Sequence, residues 1–354
     1  MLELGIVLVG LAAMPYLIYL YGIEFGKKSV HEFAPISTLP PISIVISAYN
    51  EEKNIQKRIE NLLESGYPNM ELVIIDDCSS DETCGKAWGA LEVSGIPYQL
   101  SRNDTRMGTS ASYNKAIKMA KNNDVVVVTD ADTLFNRTAL YWLIGRLISN
   151  QSIGAVTGDL QPLRDYTQTT CMEQEYRNIY GKMCDWESAH DSTFNFNGAI
   201  MAFKRNAVGV IEAQKGADDA NIGFAAIRNG YRAVYEINAV VYESIPKSFE
   251  VQYRQKIRRA SGLLNAMLSN RDLLWSKRKF ARFFFLRLWM YLASPALFFA
   301  GLLVDPVLMI LAAVSMFVPF CRAFIINQFY LLVGLITINR NVRTWESTSS
   351  LEKK

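Results

Sequence analysis

Residues 124–132 read Asp-Val-Val-Val-Val-Thr-Asp-Ala-Asp, and no other stretch restricts the fold as tightly. The valine run has neither a helical nor an alternating period. A short β-branched run of this kind is what a strand buried on both faces looks like. Asp130 and Asp132 follow it. In extended chain, residues two apart share a face, so both carboxylates are expected to face one point just past the strand's carboxyl end. That edge is where ligands bind in open α/β sheets. Two hard oxygen donors there suit a Mg2+ or Mn2+ ion holding a phosphate. Alone, the triplet is better explained as a strand ending in a solvated acidic turn; the rest of the chain changes that balance.

The same pattern recurs on either side. Residues 42–47 read as a strand, then a helix runs to about Glu64 with Asn50 as its expected N-cap. Residues 71–75 are a second strand ending at Asp76-Asp77, with Ser80 or Asp81 capping the next helix. A short strand near 98–101 precedes Gly108-Thr109-Ser110 and a helix over 111–121. A helix to about Ile148 and a strand at 153–157 follow the valine run. Strands alternating with helices predict a mostly parallel sheet of right-handed βαβ units. The second half is less regular: a long helix over 166–190, a strand over 194–203, a helix from Asp218-Asp219 closed by Gly230, an extended segment over 231–241 and a basic helix over 249–268. There is no internal repeat and no low-complexity tract.

The ends of the 354-residue chain have another character. Half the residues are hydrophobic, and the excess lies at the termini. Residues 5–22 carry no charge and approach the ~20 residues of a bilayer span. They lack the basic start of a cleaved signal peptide. Lys27 and Lys28 follow, which places the next segment in the cytoplasm. Residues 288–304, 306–321 and 323–339 are also uncharged, giving two or three crossing or interfacial helices, and Arg340 and Arg343 favour a cytoplasmic C-terminus. Residues 277–285 mix Lys and Arg with Phe, which is either a helix lying on the membrane surface or an ordinary positive flank. The expected organisation is thus a membrane helix over 1–24, a Pro-containing linker over 25–41, a cytoplasmic domain over 42–270, an interfacial helix over 271–287, membrane helices over 288–339 and a cytoplasmic tail over 340–354. A net charge of +3 is too small to argue for nucleic acid. None of the five cysteines forms a C-x-x-C pair and there are only two His, so a zinc site is not expected.

Three polar clusters would meet at one edge of a parallel sheet: Tyr49-Asn50-Glu51, Asp76-Asp77 and Asp130-Ala131-Asp132. Carboxylates and an aromatic ring at that edge suit a nucleoside, through its base N–H groups, its ribose hydroxyls and its flat face. Asp218-Asp219 opens a helix, where the dipole favours acids; its functional alternative is a general base beside an acceptor hydroxyl. Gln255 and Arg258 share a helix face, with Arg259 adjacent. Arginine can hold phosphate oxygens through parallel hydrogen bonds, and a solvated basic face competes with that reading.

Taken together and in order, these clusters resemble the family 2 glycosyltransferases. The closest pattern is the membrane-embedded branch with hyaluronan, chitin and cellulose synthases and ceramide glucosyltransferase. The resemblance spans about residues 42–262 and includes Ala217-Asp218-Asp219, Gln255-Lys256-Ile257-Arg258-Arg259 and the tail Thr344-Trp345-Glu346-Ser347. It implies a GT-A fold and a single displacement with inversion. It implies Tyr49, Glu51, Asp76 and Asp77 around the nucleoside, and Asp130 near the sugar and diphosphate. Asp132 would bind Mg2+ or Mn2+, Asp219 would be the base, and Gln255, Arg258 and Arg259 would lie at the leaving diphosphate. The implied partners are a nucleotide-sugar donor, a UDP-sugar first, a lipid-linked or glycan acceptor, and the membrane. The expected location is the cell membrane, multi-pass, with the catalytic domain cytoplasmic.

Three departures bear on function. Arg259 stands where polymer-making relatives carry a Trp that lines the acceptor site. Gly108-Thr109-Ser110 replaces a common Gly-Lys-Ala, leaving Arg106 as a substitute cation on the phosphate side. The C-terminal apolar region is short for a polymer exporter. The expected activity is therefore transfer to a lipid-linked or membrane-proximal acceptor, with a processive, extruding polysaccharide synthase as the alternative.

Overall fold

The computed structural model describes residues 2–31, 39–121, 124–163, 168–212, 216–245 and 249–337. Its centre is an eight-stranded sheet in the order β3-β2-β1-β4-β7-β6-β8-β5. Strands β1 (Ile42–Ala48), β2 (Met70–Asp76), β3 (Tyr98–Arg102) and β4 (Val125–Thr129) run parallel. β7 (Met201–Lys204) is antiparallel to β4 and to β6 (Ile153–Pro162). β8 (Arg232–Glu243) lies parallel to β6 and closes the edge with the short β5 (Thr133–Phe135).

The valine run is the buried central strand that its composition demands. Val126 and Val128 pack on one face with Val45, Tyr113, Phe194 and Phe203. Val127 packs on the other with Ile44, Ile46 and the apolar stripes of α2 (Ile55–Glu64) and α5 (Ala139–Ile148). Two-sided burial fixes the register, because a one-residue slip would exchange the two faces. In that register Ile46 pairs with Thr129 and Ala48 with Asp76. The ends of β1, β2 and β4 therefore lie side by side, as the clusters predicted.

Two local expectations fail. Asn50 does not cap α2: it sits at φ 55°, and its side-chain oxygen accepts from Ser80 N at 2.9 Å. A turn over Glu51 to Asn54 intervenes, and α2 begins at Ile55. The strand expected over 194–203 shrinks to β7. Phe196 N bonds back to Phe194 O at 2.9 Å, a tight turn that an extended strand cannot make, and Asn197 Nδ2 donates to Gly158 O at 2.8 Å.

The apolar ends form one bundle on the domain. α1 (Leu2–Phe25) contains Pro15, which leaves the carbonyl of Leu11 without its helical donor. The indole of Trp289 donates to that carbonyl at 3.1 Å. α10 (Phe280–Leu288) runs through a π-helical turn into α11 (Ser294–Val304). α12 (Pro306–Ser315) and α13 (Pro319–Thr337) return, and Gly334 lies against Ala260 of α9 (Phe249–Ser269). Among the described residues two helices are long and apolar enough to cross a membrane, Glu3–Phe25 and Phe280–Val304; Pro306–Ser315 and Phe324–Thr337 are shorter. Phe280 and Phe284, from the stretch read either as a membrane-surface helix or as a positive flank, stack in the protein core with Phe194 and Phe224. The expected tail over 340–354 lies outside the described residues.

One buried ion pair ties this bundle to the domain. Arg287 of α10 donates to Glu187 of α6 (Gln168–His190) at 2.6 Å, and both are essentially solvent-free. The hydroxyl of Tyr19 on α1 donates to the same carboxylate oxygen. Removing one partner of such a pair strands the other charge and costs about 3–5 kcal/mol. Arg287→Met should lose that much in a denaturation series of the detergent-solubilised protein, and Arg287→Met with Glu187→Met should recover most of it.

The linker is pinned by His31, which bonds Glu236 at 2.9 Å and approaches Asp185 at 3.3 Å. These two partners, Asp185 first, outweigh partial burial and lift the imidazole from 6.5 to about 9. A raised folded value means the contribution is complete below pH 6.5 and lost as pH rises through about 9. Thermal midpoints across that window should fall in the wild type more than in His31→Gln.

Candidate active site

Each sheet-edge cluster has a distinct place. Glu51 is buried; its Oε2 accepts from Asn54 Nδ2 at 2.7 Å, while its Oε1 has no hydrogen-bond partner. Burial, then the charge of Asp132, pushes the Glu51 carboxyl up to about 8. Asp130 and Asp132 occupy the turn between β4 and β5, not an extension of the strand. Burial and then neighbouring carboxylates raise them to about 6 and about 7. Gly198 lies against Asp130, where a Cβ would stand 3.4 Å from its Oδ1.

The second acidic pair opens α8 (Asp218–Arg228), and its members diverge. Burial raises the Asp218 carboxyl, and the neighbouring Ser110 pulls it back down. Asp219 accepts from Ala220 N at 2.8 Å. Burial raises Asp219 to about 6, and its charge acts in turn on Asp130. Of the pair, Asp219 is the one turned towards the sheet edge.

Arg258 on α9 is held down at about 10 by burial and by Arg259, against the pull of Asp130, Glu243 and Asp219. Arg259 forms an ion pair with Glu243, whose charge raises it. Gln255 lies on α9 one turn before Arg258.

Asp76 and Asp77 do local work. Asp76 accepts from Ser79 N at 3.2 Å and pairs with Arg102. Asp77 collects Met107 N, Gly108 N and Asn103 Nδ2, all at 2.8 Å, and so shapes the turn into α4 (Thr109–Met119). That turn carries Arg106, whose guanidinium lies 3.7 Å over the ring of Tyr49. Arg106 is thus at the Tyr49 end of the site.

Four residues here escaped the sequence reading. Arg58 is fully buried, donates to Thr129 Oγ1 at 2.7 Å and Asn61 Oδ1 at 2.8 Å, and packs on Phe135. Burial lowers it to about 9 against the pull of Asp130 and Asp132. The signal was there: a cation among the apolar positions Ile55, Ile59 and Leu62 of α2. Burial works to raise Glu243, yet Arg259 and Arg177 hold it at about 2. Tyr113 is buried, and the charge of Asp130 adds to burial in raising its hydroxyl. Arg177 joins Glu243 to Glu173. None of these last three carries a local sequence mark.

No group of three or more His, Cys, Asp or Glu among the described residues forms a ready metal cage. Mg2+ and similar ions usually take one or two carboxylates plus substrate phosphates. The mutually repelling Asp130, Asp132 and Glu51, with Glu51 Oε1 unpaired, fit that kind of site.

Fold and motif order define a glycosyltransferase of GT-A fold. Residues 40–262 match the Glycosyltransferase like family 2, and the chain belongs to that family. It is 26% identical over 253 residues to the poly-beta-1,6-N-acetyl-D-glucosamine synthase of Staphylococcus aureus, covering 69% of this chain and 60% of that protein. The Staphylococcus epidermidis protein of the same name is 27% identical over 251 residues, 67% of this chain and 57% of that one. The chain thus spans about three-fifths of these relatives' length. A mannosyltransferase from Pyrobaculum calidifontis, solved in complex with GDP-Man and Mn2+, shares the fold with a TM-score of 0.81 at 24% identity, covering 97% of this chain and 100% of that one.

Hydrogen bonds to a charged group contribute about 1.5–3 kcal/mol each, so the Asp77 hub is worth a few kcal/mol to the donor-free fold. Asp77→Asn should lower stability by about 2–4 kcal/mol in chemical denaturation without ligand. An unchanged midpoint would mean that Asp77 serves the ligand alone.

Proposed function

We propose that the chain is a membrane-bound, inverting glycosyltransferase. It moves a sugar from a nucleotide-diphosphate donor to a lipid-linked or membrane-proximal acceptor, with a divalent cation. One observation carries this reading. Glu51, Asp130, Asp132 and Asp219 come from three separate stretches of chain, yet Asp132 acts on Glu51 and Asp219 on Asp130, with Arg258 facing them. A cation held by Asp132, with Asp130 and Glu51 beside it, would supply positive charge to a bound diphosphate.

The chain's own residues account for the rest. Tyr49 and Arg106 offer flat faces for a base. Arg258 donates to the leaving diphosphate, where charge builds as the anomeric bond breaks; removing one such donor commonly costs about 10²–10³ in rate. Asp219, poised near 6, takes the proton of the attacking hydroxyl. Burial of the site keeps water from competing for the sugar.

The two long apolar helices support a membrane location, and Lys27 and Lys28 support a cytoplasmic domain. The likeness to poly-beta-1,6-N-acetyl-D-glucosamine synthases favours a second reading, processive synthesis. Product mass separates the two. Purified protein given a panel of nucleotide sugars, Mn2+ or Mg2+, and native lipid extract should yield a lipid carrying one added sugar. Long products from donor alone would establish the second reading instead. Asp219→Asn should lower transfer by about 10²–10⁴-fold with donor KM little changed; wild-type turnover in that variant would remove Asp219 as the base.

A further inference from the structure

The helices that carry Asp219 and Arg258 are joined at one backbone contact. Asp219 lies in the first turn of α8, and Arg258 lies on α9. Residues four apart share a helix face, so Gly262 sits one turn along α9 on the Arg258 side. There the backbone N–H of Ala217 donates to the carbonyl of Gly262 at 3.0 Å. Ala217 is the N-cap of α8, just before Asp218 and Asp219. The contact brings the two helices close enough for the charge of Asp219 to act on Arg258.

Gly216 makes that contact possible. It sits at φ 92°, a left-handed conformation that side-chain-bearing residues rarely adopt. A Cβ built there would stand 2.5 Å from both Gly262 O and Ala266 N, where ordinary contact begins at 3.4 Å. Both are backbone atoms inside a helix, so no change of rotamer relieves the overlap. α9 has no room to retreat, because α13 lies behind it. A Cβ on Gly334 would stand 3.0 Å from Ala260 Cβ, and Ser261 Oγ donates to Gly334 O at 3.3 Å. From Ala220 onward α8 is also fixed. Ala220, Ile222 and Phe224 are buried in the same core cluster as Leu264, Ala266 and Met267 of α9. A side chain at position 216 is therefore accommodated by residues 217–219, and Asp219 moves with them.

We propose that Gly216 and Ala217 are positioning residues for sugar transfer: the bond from Ala217 to Gly262 sets the place of Asp219 relative to Arg258. This rests on the glycosyltransferase reading above, with Asp219 as its base. In that reading the acceptor hydroxyl gives its proton to Asp219 while its oxygen bonds the anomeric carbon. The bond from that carbon to the diphosphate oxygen breaks, and its electron pair leaves with the nucleoside diphosphate. Base and guanidinium act at opposite ends of this displacement, so their separation has to be held. A misplacement of about 1 Å commonly costs on the order of a hundredfold in rate. Tyr49, Glu51 and Asp132, assigned to the donor, lie on other elements, so donor binding does not depend on the contact.

The test is a mutant cycle on the full chain in detergent, with Mn2+, the nucleotide sugar that the wild type turns over, and native lipid extract. Gly216→Ala should lower kcat about 10–100-fold. Its donor KM, and its calorimetric affinity for that donor's nucleoside diphosphate, should stay within about threefold of wild type, which also shows that it folds. Ala217→Pro keeps the φ of −63° that a proline ring favours and removes the N–H; it should show the same split with a smaller loss. Either change combined with Asp219→Asn should be no slower than Asp219→Asn alone, because a residue acting through Asp219 has nothing left to position. Wild-type kcat in both Gly216→Ala and Ala217→Pro would overturn the proposal, as would losses that multiply with that of Asp219→Asn. Nucleoside diphosphate affinity falling in step with kcat in both variants would also overturn it, since that marks a general role in the fold. Wild-type kcat in Asp219→Asn would instead refute the base assignment beneath it.

Discussion

The site depends on carboxylates forced together by a sheet edge. β1, β2 and β4 are buried on both faces, so neither register nor strand order can relax to separate their ends. Glu51, Asp130, Asp132 and Asp219 are consequently held near one another, and each binds its proton more tightly than a free carboxyl does. Burial is the larger cause in every case, and the neighbouring charges add to it. Such an arrangement disfavours the empty state and favours whatever brings positive charge.

The protein offsets part of that repulsion with fixed cations. Arg58 lies beneath the Asp-x-Asp turn and is locked by Thr129, Asn61 and Phe135. Arg258 faces the carboxylates from α9. Arg259 is committed to Glu243, so its neighbour is the arginine left for the diphosphate edge. α9 is held from behind by α13, where Gly334 meets Ala260 and Ser261 bonds Gly334 O at 3.3 Å. The apolar bundle and the cationic side of the site therefore share one helix.

Much of this was legible in the sequence, for physical reasons. The valine run, the acidic strand ends and the Asp218-Asp219 helix start are local patterns with local causes, and they fall where expected. What escaped was set by distant contacts. Asn50 has the residue type of an N-cap, yet Ser80, brought up by β2, claims its side chain. Phe194 and Phe196 look like part of a strand, but Phe196 N bonds back to Phe194 O in a tight turn, while Phe194 packs on Phe224 of α8 and Phe284 of α10. Arg58 was visible only as a charge on an apolar stripe. Glu243 and Arg177 became meaningful once α6, β8 and α9 were seen together.

The central claim is that these crowded carboxylates form a cation-dependent diphosphate site. The most direct measurement is titration calorimetry of nucleoside diphosphate into the purified chain, with Mn2+ and with the metal chelated, for wild type and Asp132→Ala. The account predicts binding with Mn2+ in the wild type alone, and loss of at least tenfold in affinity on chelation or in Asp132→Ala. Equal affinity with and without the cation would contradict it.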